Sequence, residues 1–171
     1  MTVLSSAYFV KNPVKKLVPG FILMALMIFR FVPQGFYGSA ILVDAFLIGA
    51  LFYWSLFASN LVPLIFCFVF GLCYDLLAGT LLGVMPLCFL VLRSAAYYRR
   101  VRFIRSPFSK IWQYFALSVI LAGFVRYLLF SYHAKSMSLF LPLAYDYLLT
   151  ILFFPLSFFV MRKIHQWLLA S

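Results

Sequence analysis

Acidic residues are nearly absent from this chain: its 171 residues include three aspartates and no glutamate, and only 10% of the residues are charged. Soluble domains typically have about a quarter of their residues charged. A composition that is 67% hydrophobic has too much apolar surface for the interior of a small soluble domain. The composition therefore predicts an all-α, multi-pass integral membrane protein.

Residues that commonly carry out catalysis or bind metal ions are also scarce. The two histidines, His133 and His165, are predicted in an outer loop and in the cytoplasmic tail, so they cannot share a metal ion. The three cysteines lie in apolar stretches without a CxxC spacing and are typical of small core residues. There is no HExxH, no GxSxG and no phosphate-binding glycine loop. We therefore expect no enzyme activity, no metal and no cofactor.

Long apolar runs are what the chain has in abundance. A helix needs roughly 20 apolar residues to cross a bilayer. The stretch 61–98 is too long for one crossing, so the chain must turn back within it, and Ala78-Gly79-Thr80 is the predicted turn. A single polytopic domain, 1–171, is predicted to have six spans, at about residues 17–33, 38–57, 61–78, 81–98, 111–130 and 140–161.

Prolines and tryptophans add expectations about these spans. Pro19 and Pro63 lie near predicted span starts, where a missing N–H costs little. Pro86 and Pro155 fall inside spans, where we expect kinks. The three tryptophans lie near predicted inner span ends and are expected in the interfacial belt. They are Trp54, Trp112 and Trp167.

Cations cluster on one side of the six predicted spans. They precede span one, surround the loop after span four and follow span six. The three groups are Lys11, Lys15 and Lys16; Arg93, Arg99, Arg100, Arg102, Arg105 and Lys110; and Arg162 and Lys163. The positive-inside rule makes this side cytoplasmic, so both termini are predicted there. The same rule accounts for the net charge of +11 without a nucleic-acid partner.

The loop at about residues 99–110 interleaves cations with apolar residues. It is predicted to contact the inner leaflet or a cytoplasmic partner, unless it only determines topology. The cations concerned are Arg99, Arg100, Arg102, Arg105 and Lys110.

The remaining rare charges lie in the outer halves of the predicted spans. These residues are Asp44, Asp75, Asp146, Arg30 and Arg126. A charge near the bilayer centre costs at least about 2.5 kcal/mol, so it normally faces the bundle interior or a partner charge. We expect the short aspartates to be interior or paired, whereas the arginines either pair or extend to the headgroups.

Asp75 lies among glycines in the stretch FGLCYDLLAGTLLG, residues 70–83. Gly71, Asp75, Gly79 and Gly83 are spaced by four, and small residues at this spacing let another helix approach closely. We expect Asp75 in a close-packed helix seam, as a structural or partner-binding carboxylate. Alternatively, Asp75 and Asp146 could form a proteolytic pair, although the Gly-x-Gly-Asp element of intramembrane aspartyl proteases is missing.

Several short motifs follow one another along the chain in a characteristic order. Tyr53-Trp54 is followed by Gly71-x-x-x-Asp75-Leu76-x-x-Gly79-x-x-Leu82-Gly83, by the cationic loop, and by Met161-Arg162-Lys163-x-x-Gln166. From about residue 40 to the tail, this order resembles the rod shape-determining MreD family of small bacterial inner-membrane proteins. One departure is that Ser59-Asn60 follow the Tyr-Trp pair and proline comes only at Pro63, where the family pattern leads us to expect an earlier proline.

The resemblance implies a non-catalytic scaffold of the bacterial cell-elongation (rod) complex. Such proteins act with a bitopic MreC-like protein, with the rod-complex synthase and transpeptidase and, directly or indirectly, with the MreB filament. Together these maintain rod shape and direct lateral peptidoglycan synthesis, and membrane lipids are further expected partners. The family is also similar in fold to the six-helix substrate-binding subunits of energy-coupling factor transporters. A vitamin-capture subunit is therefore the alternative, and an intramembrane aspartyl protease a remote one.

Overall fold

The computed structural model describes residues 13–32, 39–103, 106–134 and 140–170, and all regular structure in these ranges is α-helical. The helices are α1 (Pro13–Phe31), α2 (Ser39–Phe57), α3 (Leu64–Ala78), α4 (Val84–Phe103), α5 (Phe108–Ala134) and α6 (Phe140–Ala170). The all-α prediction is confirmed, and each helix overlaps one of the predicted spans.

Three of these helices are long and apolar enough to cross a membrane. Their candidate spans are Ala40–Phe57 in α2, Phe108–Ser131 in α5 and Ala144–Leu168 in α6. α1 and α3 contribute shorter apolar segments, Leu17–Phe31 and Leu64–Ala78. Length and composition thus support a membrane protein, while the number of six crossings stays a prediction.

Helix α2 lies at the centre of the bundle and packs against α1, α4 and α6. Every residue from Gly49 to Leu56 is buried, as expected for a helix that is apolar on all sides. Phe52 meets Phe115 of α5 and Phe154 of α6 at ring-centroid distances of 5.1 and 5.9 Å. α2 is therefore the element around which the other helices pack.

The surrounding helices expose apolar side chains on their outer faces. Examples are Phe21 and Ile28 on α1, Ile65 and Leu76 on α3, Leu117 and Phe124 on α5, and Leu148 and Leu152 on α6. So large an apolar surface is unusual for a soluble monomer. It suits contact with lipid chains or with other membrane helices.

The predicted positions of the prolines are partly wrong. α4 begins at Val84, so Pro86 lies in its first turn, where proline removes no helical hydrogen bond and no kink is expected. Pro19 lies near the start of the apolar segment Leu17–Phe31, as predicted, but α1 already begins at Pro13, so the missing N–H falls inside the helix rather than in its first turn. Pro63 directly precedes α3 and Pro155 lies inside α6, as predicted.

The interfacial position predicted for Trp54 is also wrong, because its side chain is fully buried. α6 continues to Ala170, about nine residues beyond the end predicted for span six, and this extra length covers the inner end of α2. Trp112 and Trp167 remain 38% and 69% exposed, as an interfacial position requires.

Candidate functional site

Asp75 lies in the last turn of α3, and its side chain is fully buried. The helix ends at Ala78, and Gly79 follows with a left-handed φ of 63°, which reverses the chain at the predicted turn. The carboxylate therefore faces the connection to α4. It accepts hydrogen bonds from Thr80 Oγ1 at 3.0 Å, from the Gly83 N–H at 2.8 Å and from the Met85 N–H at 3.3 Å.

These contacts give Asp75 a definite structural effect. The first N–H groups of a helix have no partner within the helix, and the helix dipole favours a negative charge beside them. The Asp75 carboxylate supplies both an acceptor and a charge at the start of α4. It therefore fastens the end of α3 to the start of α4.

The glycines around Asp75 divide into two kinds. Gly71 lies in the seam between α3 and α4, where an added Cβ would come within 2.5 Å of the Pro86 Cα. Gly79 and Gly83 have open space around them but positive φ values of 63° and 100°, so they serve the turn instead. The seam predicted at this stretch is thus formed between two helices of the same chain.

A second polar group joins three helices at the predicted outer end. Arg30 Nε of α1 donates to Asp44 Oδ1 of α2 at 2.9 Å, forming an ion pair. The Tyr74 hydroxyl of α3 donates to the same oxygen at 2.8 Å. Asp44 thus has both a countercharge and a hydrogen-bond donor, which offsets the cost of placing it among apolar helices.

Arg126 and Asp146 line a small cavity next to this ion pair. Asp44, Tyr74 and Tyr147 also face the cavity. The space open to water is about 30 Å³, enough for one or two water molecules. Ligand pockets are usually some 300–1,000 Å³.

The geometry does not bring together the two aspartates of the proteolytic hypothesis. Asp146 lines the outer cavity, whereas Asp75 is not part of its lining and its oxygens face the donors of the α3–α4 connection. Paired catalytic carboxylates need to share one site. The arrangement therefore disfavours a protease.

At the opposite end of the bundle, the Tyr-Trp pair meets the C-terminal part of α6. The Tyr53 hydroxyl and His165 Nδ1 are 3.1 Å apart, and the Trp54 and His165 rings lie 5.4 Å apart. His165 is buried in the part of α6 that follows predicted span six; its position on the cytoplasmic side stays a prediction. Two separate motifs of the sequence thus form one contact in the fold.

Arg93 has a structural role that was not predicted, since it was grouped only with the cations around the loop after span four. It is buried and donates to the Val62 and Ser59 carbonyl oxygens at 3.0 and 3.2 Å. Arg100 also donates to the Ser59 hydroxyl. These arginines fix the connection between α2 and α3. The available sequence signal was that Arg93 lies within predicted span four, about five residues before its end.

The remaining loop cations are only partly described. Arg99 is exposed, with its guanidinium 5.7 Å from the Tyr114 ring centre, and Lys110 is exposed. The following lie outside the described residues: Lys11, Arg105, and the side chains of Lys15, Lys16, Arg102 and His133.

Comparison with known protein families finds one that covers nearly the whole chain. Residues 11–164 match the family described as rod shape-determining protein MreD. Searches of curated proteins and of solved structures each found no match. The matched range contains the Asp75 turn, the outer ion pair and Tyr53, and it ends one residue before His165. The chain therefore belongs to the rod shape-determining MreD family of membrane proteins and has a role in determining rod shape.

Proposed function

We propose that this protein is a non-catalytic scaffold of the bacterial rod complex. It spans the inner membrane six times with both termini in the cytoplasm. It binds an MreC-like bitopic protein and, through it, the synthase, the transpeptidase and the MreB filament, so that lateral peptidoglycan synthesis maintains rod shape. Membership of the MreD family over residues 11–164 is the observation that carries this proposal.

The polar contacts support a structural role. Asp75 fastens α3 to α4, and Asp44 joins α1, α2 and α3 through Arg30 and Tyr74. These groups stabilise the arrangement of the helices rather than forming an open site for a substrate. A bundle held in this way presents fixed outer faces, which suits an assembly protein because ordering a flexible surface would weaken binding.

The outer cavity gives little support to the alternative of a vitamin-capture subunit. Its space of about 30 Å³ holds a water molecule or two. A vitamin would require the surrounding helices to move apart. The fold likeness to energy-coupling factor subunits stays a prediction.

The cationic connection between α4 and α5 is included in the proposal. Arg99 and Lys110 are exposed, and Arg100 is partly buried where it contacts Ser59. On the cytoplasmic side these cations would face anionic headgroups or an acidic partner surface. Arg93 has an internal role and is not part of this surface.

Photo-crosslinking in cells would test the scaffold proposal and locate the partner surface. A photoreactive amino acid replaces one exposed residue on each outer helix, for example Phe21, Ile65, Leu117 and Leu152, with the buried Phe52 as the matched control. The tagged protein is then purified in mild detergent, and its crosslinked partners are identified by mass spectrometry.

We expect an MreC-like protein to crosslink from one or two neighbouring helices and not from position 52. Recovery of the elongation synthase and transpeptidase in the same sample would support the wider complex. Recovery of a transport ATPase and its coupling subunit, with no MreC-like protein, would refute the scaffold and favour the vitamin transporter.

A further inference from the structure

The C-terminal part of α6 has two chemically different faces. Met161, His165 and Leu168 are buried against the bundle. Arg162, Lys163 and Gln166 are exposed on the other side of the helix. The inward residues are explained by the contact with Tyr53 and Trp54, whereas the outward residues of the same motif have no role in the fold described so far.

The outward residues line a shallow surface groove along α6, with about 480 Å³ of space that is largely open to the surroundings. Phe159 and Val160 form its apolar part, and Arg162, Lys163 and Gln166 form its polar part. Phe159 is held in place by Phe108 of α5, with ring centroids 5.8 Å apart. Along the helix, the groove therefore changes from apolar to cationic within about one turn.

No acidic residue of the described chain lies close to these two cations. Asp146 is on the same helix but 16 positions earlier, which corresponds to about 24 Å along the axis. Asp44 lines the same outer cavity as Asp146, and Asp75 lies at the predicted outer end of α3. The positive charge of Arg162 and Lys163 is thus free to attract an anion from outside the chain.

The apolar part of the groove is continuous with the outer face of α6. Leu148, Leu152 and Leu156 are exposed along this helix and lead to Phe159 and Val160. An extended hydrocarbon chain can lie along such a row, while the cations at its end reach the headgroup region. A soluble phosphate would use only the cationic end of the groove.

We propose that this groove binds one anionic diacyl phospholipid. Arg162 and Lys163 bind its phosphate through charge-assisted hydrogen bonds, Gln166 hydrogen-bonds a hydroxyl of its headgroup, and an acyl chain lies against Phe159 and Val160. This site goes beyond the scaffold function, and only the choice of the inner leaflet rests on the proposed orientation.

Native mass spectrometry of the purified protein would test this site. The full chain is transferred from mild detergent into micelles that contain phosphatidylglycerol and phosphatidylcholine with the same acyl chains. Retained lipids are counted for the wild type, for Arg162→Gln/Lys163→Gln, and for the matched control Lys15→Gln/Lys16→Gln. The control removes the same charge from the same side of the bundle, and thermal unfolding verifies that each variant is folded.

We expect the wild type to retain one phosphatidylglycerol in preference to phosphatidylcholine. Each near-surface cation contributes about five-fold to the attraction of an anionic lipid, so the groove variant should bind it about thirty-fold more weakly. The control variant should retain it, and glycerol phosphate, which lacks acyl chains, should not displace it.

Equal losses in both variants would show diffuse charge attraction and overturn the proposed site. So would equal retention of the two lipids by the wild type, unchanged binding in the groove variant, or displacement by glycerol phosphate. None of these results depends on whether an MreC-like protein is recovered, so a failure of this proposal is distinguishable from a failure of the scaffold.

Discussion

Replacing Asp75 with asparagine keeps the size of the side chain but removes the charge that faces the start of α4. The carboxylate accepts hydrogen bonds from the Thr80 hydroxyl and from the N–H groups of Gly83 and Met85. In Asp75→Asn an NH2 group replaces one of the two acceptor oxygens. This group is itself a donor, so it cannot accept a hydrogen bond from these N–H and O–H groups. A hydrogen bond to a charged group contributes about 1.5–3 kcal/mol, and we expect this variant to lose roughly 2 kcal/mol of unfolding free energy.

Asp75→Ala should lose more, about 2–4 kcal/mol, because all three donors then lack this acceptor. This is less than three fully buried donors would cost, since Thr80 and Gly83 are only half-buried and water can replace part of what they lose. The Met85 N–H is buried and cannot be compensated in this way. A conventional surface substitution would change stability by less than about 0.5 kcal/mol.

The assay is reversible unfolding in mixed micelles of mild detergent and dodecyl sulfate, followed by tryptophan fluorescence. Trp54 is a suitable reporter because it is fully buried. Thr80→Val removes one donor and Thr80→Ser keeps it, so the pair forms a matched control. In a double-mutant cycle, Asp75→Asn and Thr80→Val should couple by about 0.5–3 kcal/mol.

Additive effects of these two substitutions, or a loss below about 0.5 kcal/mol for Asp75→Ala, would refute the assigned contacts. A variant that keeps its stability but no longer recovers its partner would place Asp75 in a partner interface. Partner recovery should therefore be measured on the same samples, normalised to the folded fraction.

Two further predictions use the same unfolding titration. Gly71→Ala should destabilise the protein by about 1–3 kcal/mol, because the added Cβ would lie 2.5 Å from the α4 backbone. The control is Gly20→Ala, which should be neutral or stabilising because its Cβ meets only the edge of the Phe66 ring at 3.7 Å. If both alanine variants behave alike, the close approach of α3 and α4 is wrong. Arg30→Gln should cost about 1–3 kcal/mol because it leaves the partly buried Asp44 carboxylate without its countercharge, and adding Asp44→Asn should recover part of that loss. A double variant less stable than Arg30→Gln alone would contradict the ion pair.

The turn between α3 and α4 was predictable from sequence because the physical constraint is local. An apolar run of this length must reverse, and Gly79 can adopt the required positive φ without strain. The helix positions follow from the same apolar runs. The pairing of Asp44 with Arg30 was only partly predictable: both residues fall in outer halves of spans, but the rotation of each helix decides which charges meet. α2 is apolar on almost all sides, so its sequence contains no signal for that rotation.

The continuation of α6 beyond predicted span six was not predicted, for a related reason. Arg162 and Lys163 are typical of the place where a span leaves the membrane, but they lie on the outer face of a helix that continues to Ala170. The buried contact between Tyr53 and His165 joins residues 112 positions apart. Such a contact depends on tertiary packing, and neither secondary-structure propensity nor hydropathy indicates it.

The ion pair between Arg30 and Asp44 has a consequence for the order in which the protein assembles. Its partners belong to consecutive helices, 14 residues apart in the chain. As the chain emerges from the ribosome, Asp44 therefore has its countercharge available before α3, with Tyr74, has been synthesised. A lone carboxylate in a membrane helix adds about 2.5–3.5 kcal/mol to the cost of insertion. By entering the bilayer together as a hairpin, α1 and α2 would avoid most of this barrier, and the helix that becomes the centre of the bundle would be in place when its neighbours arrive.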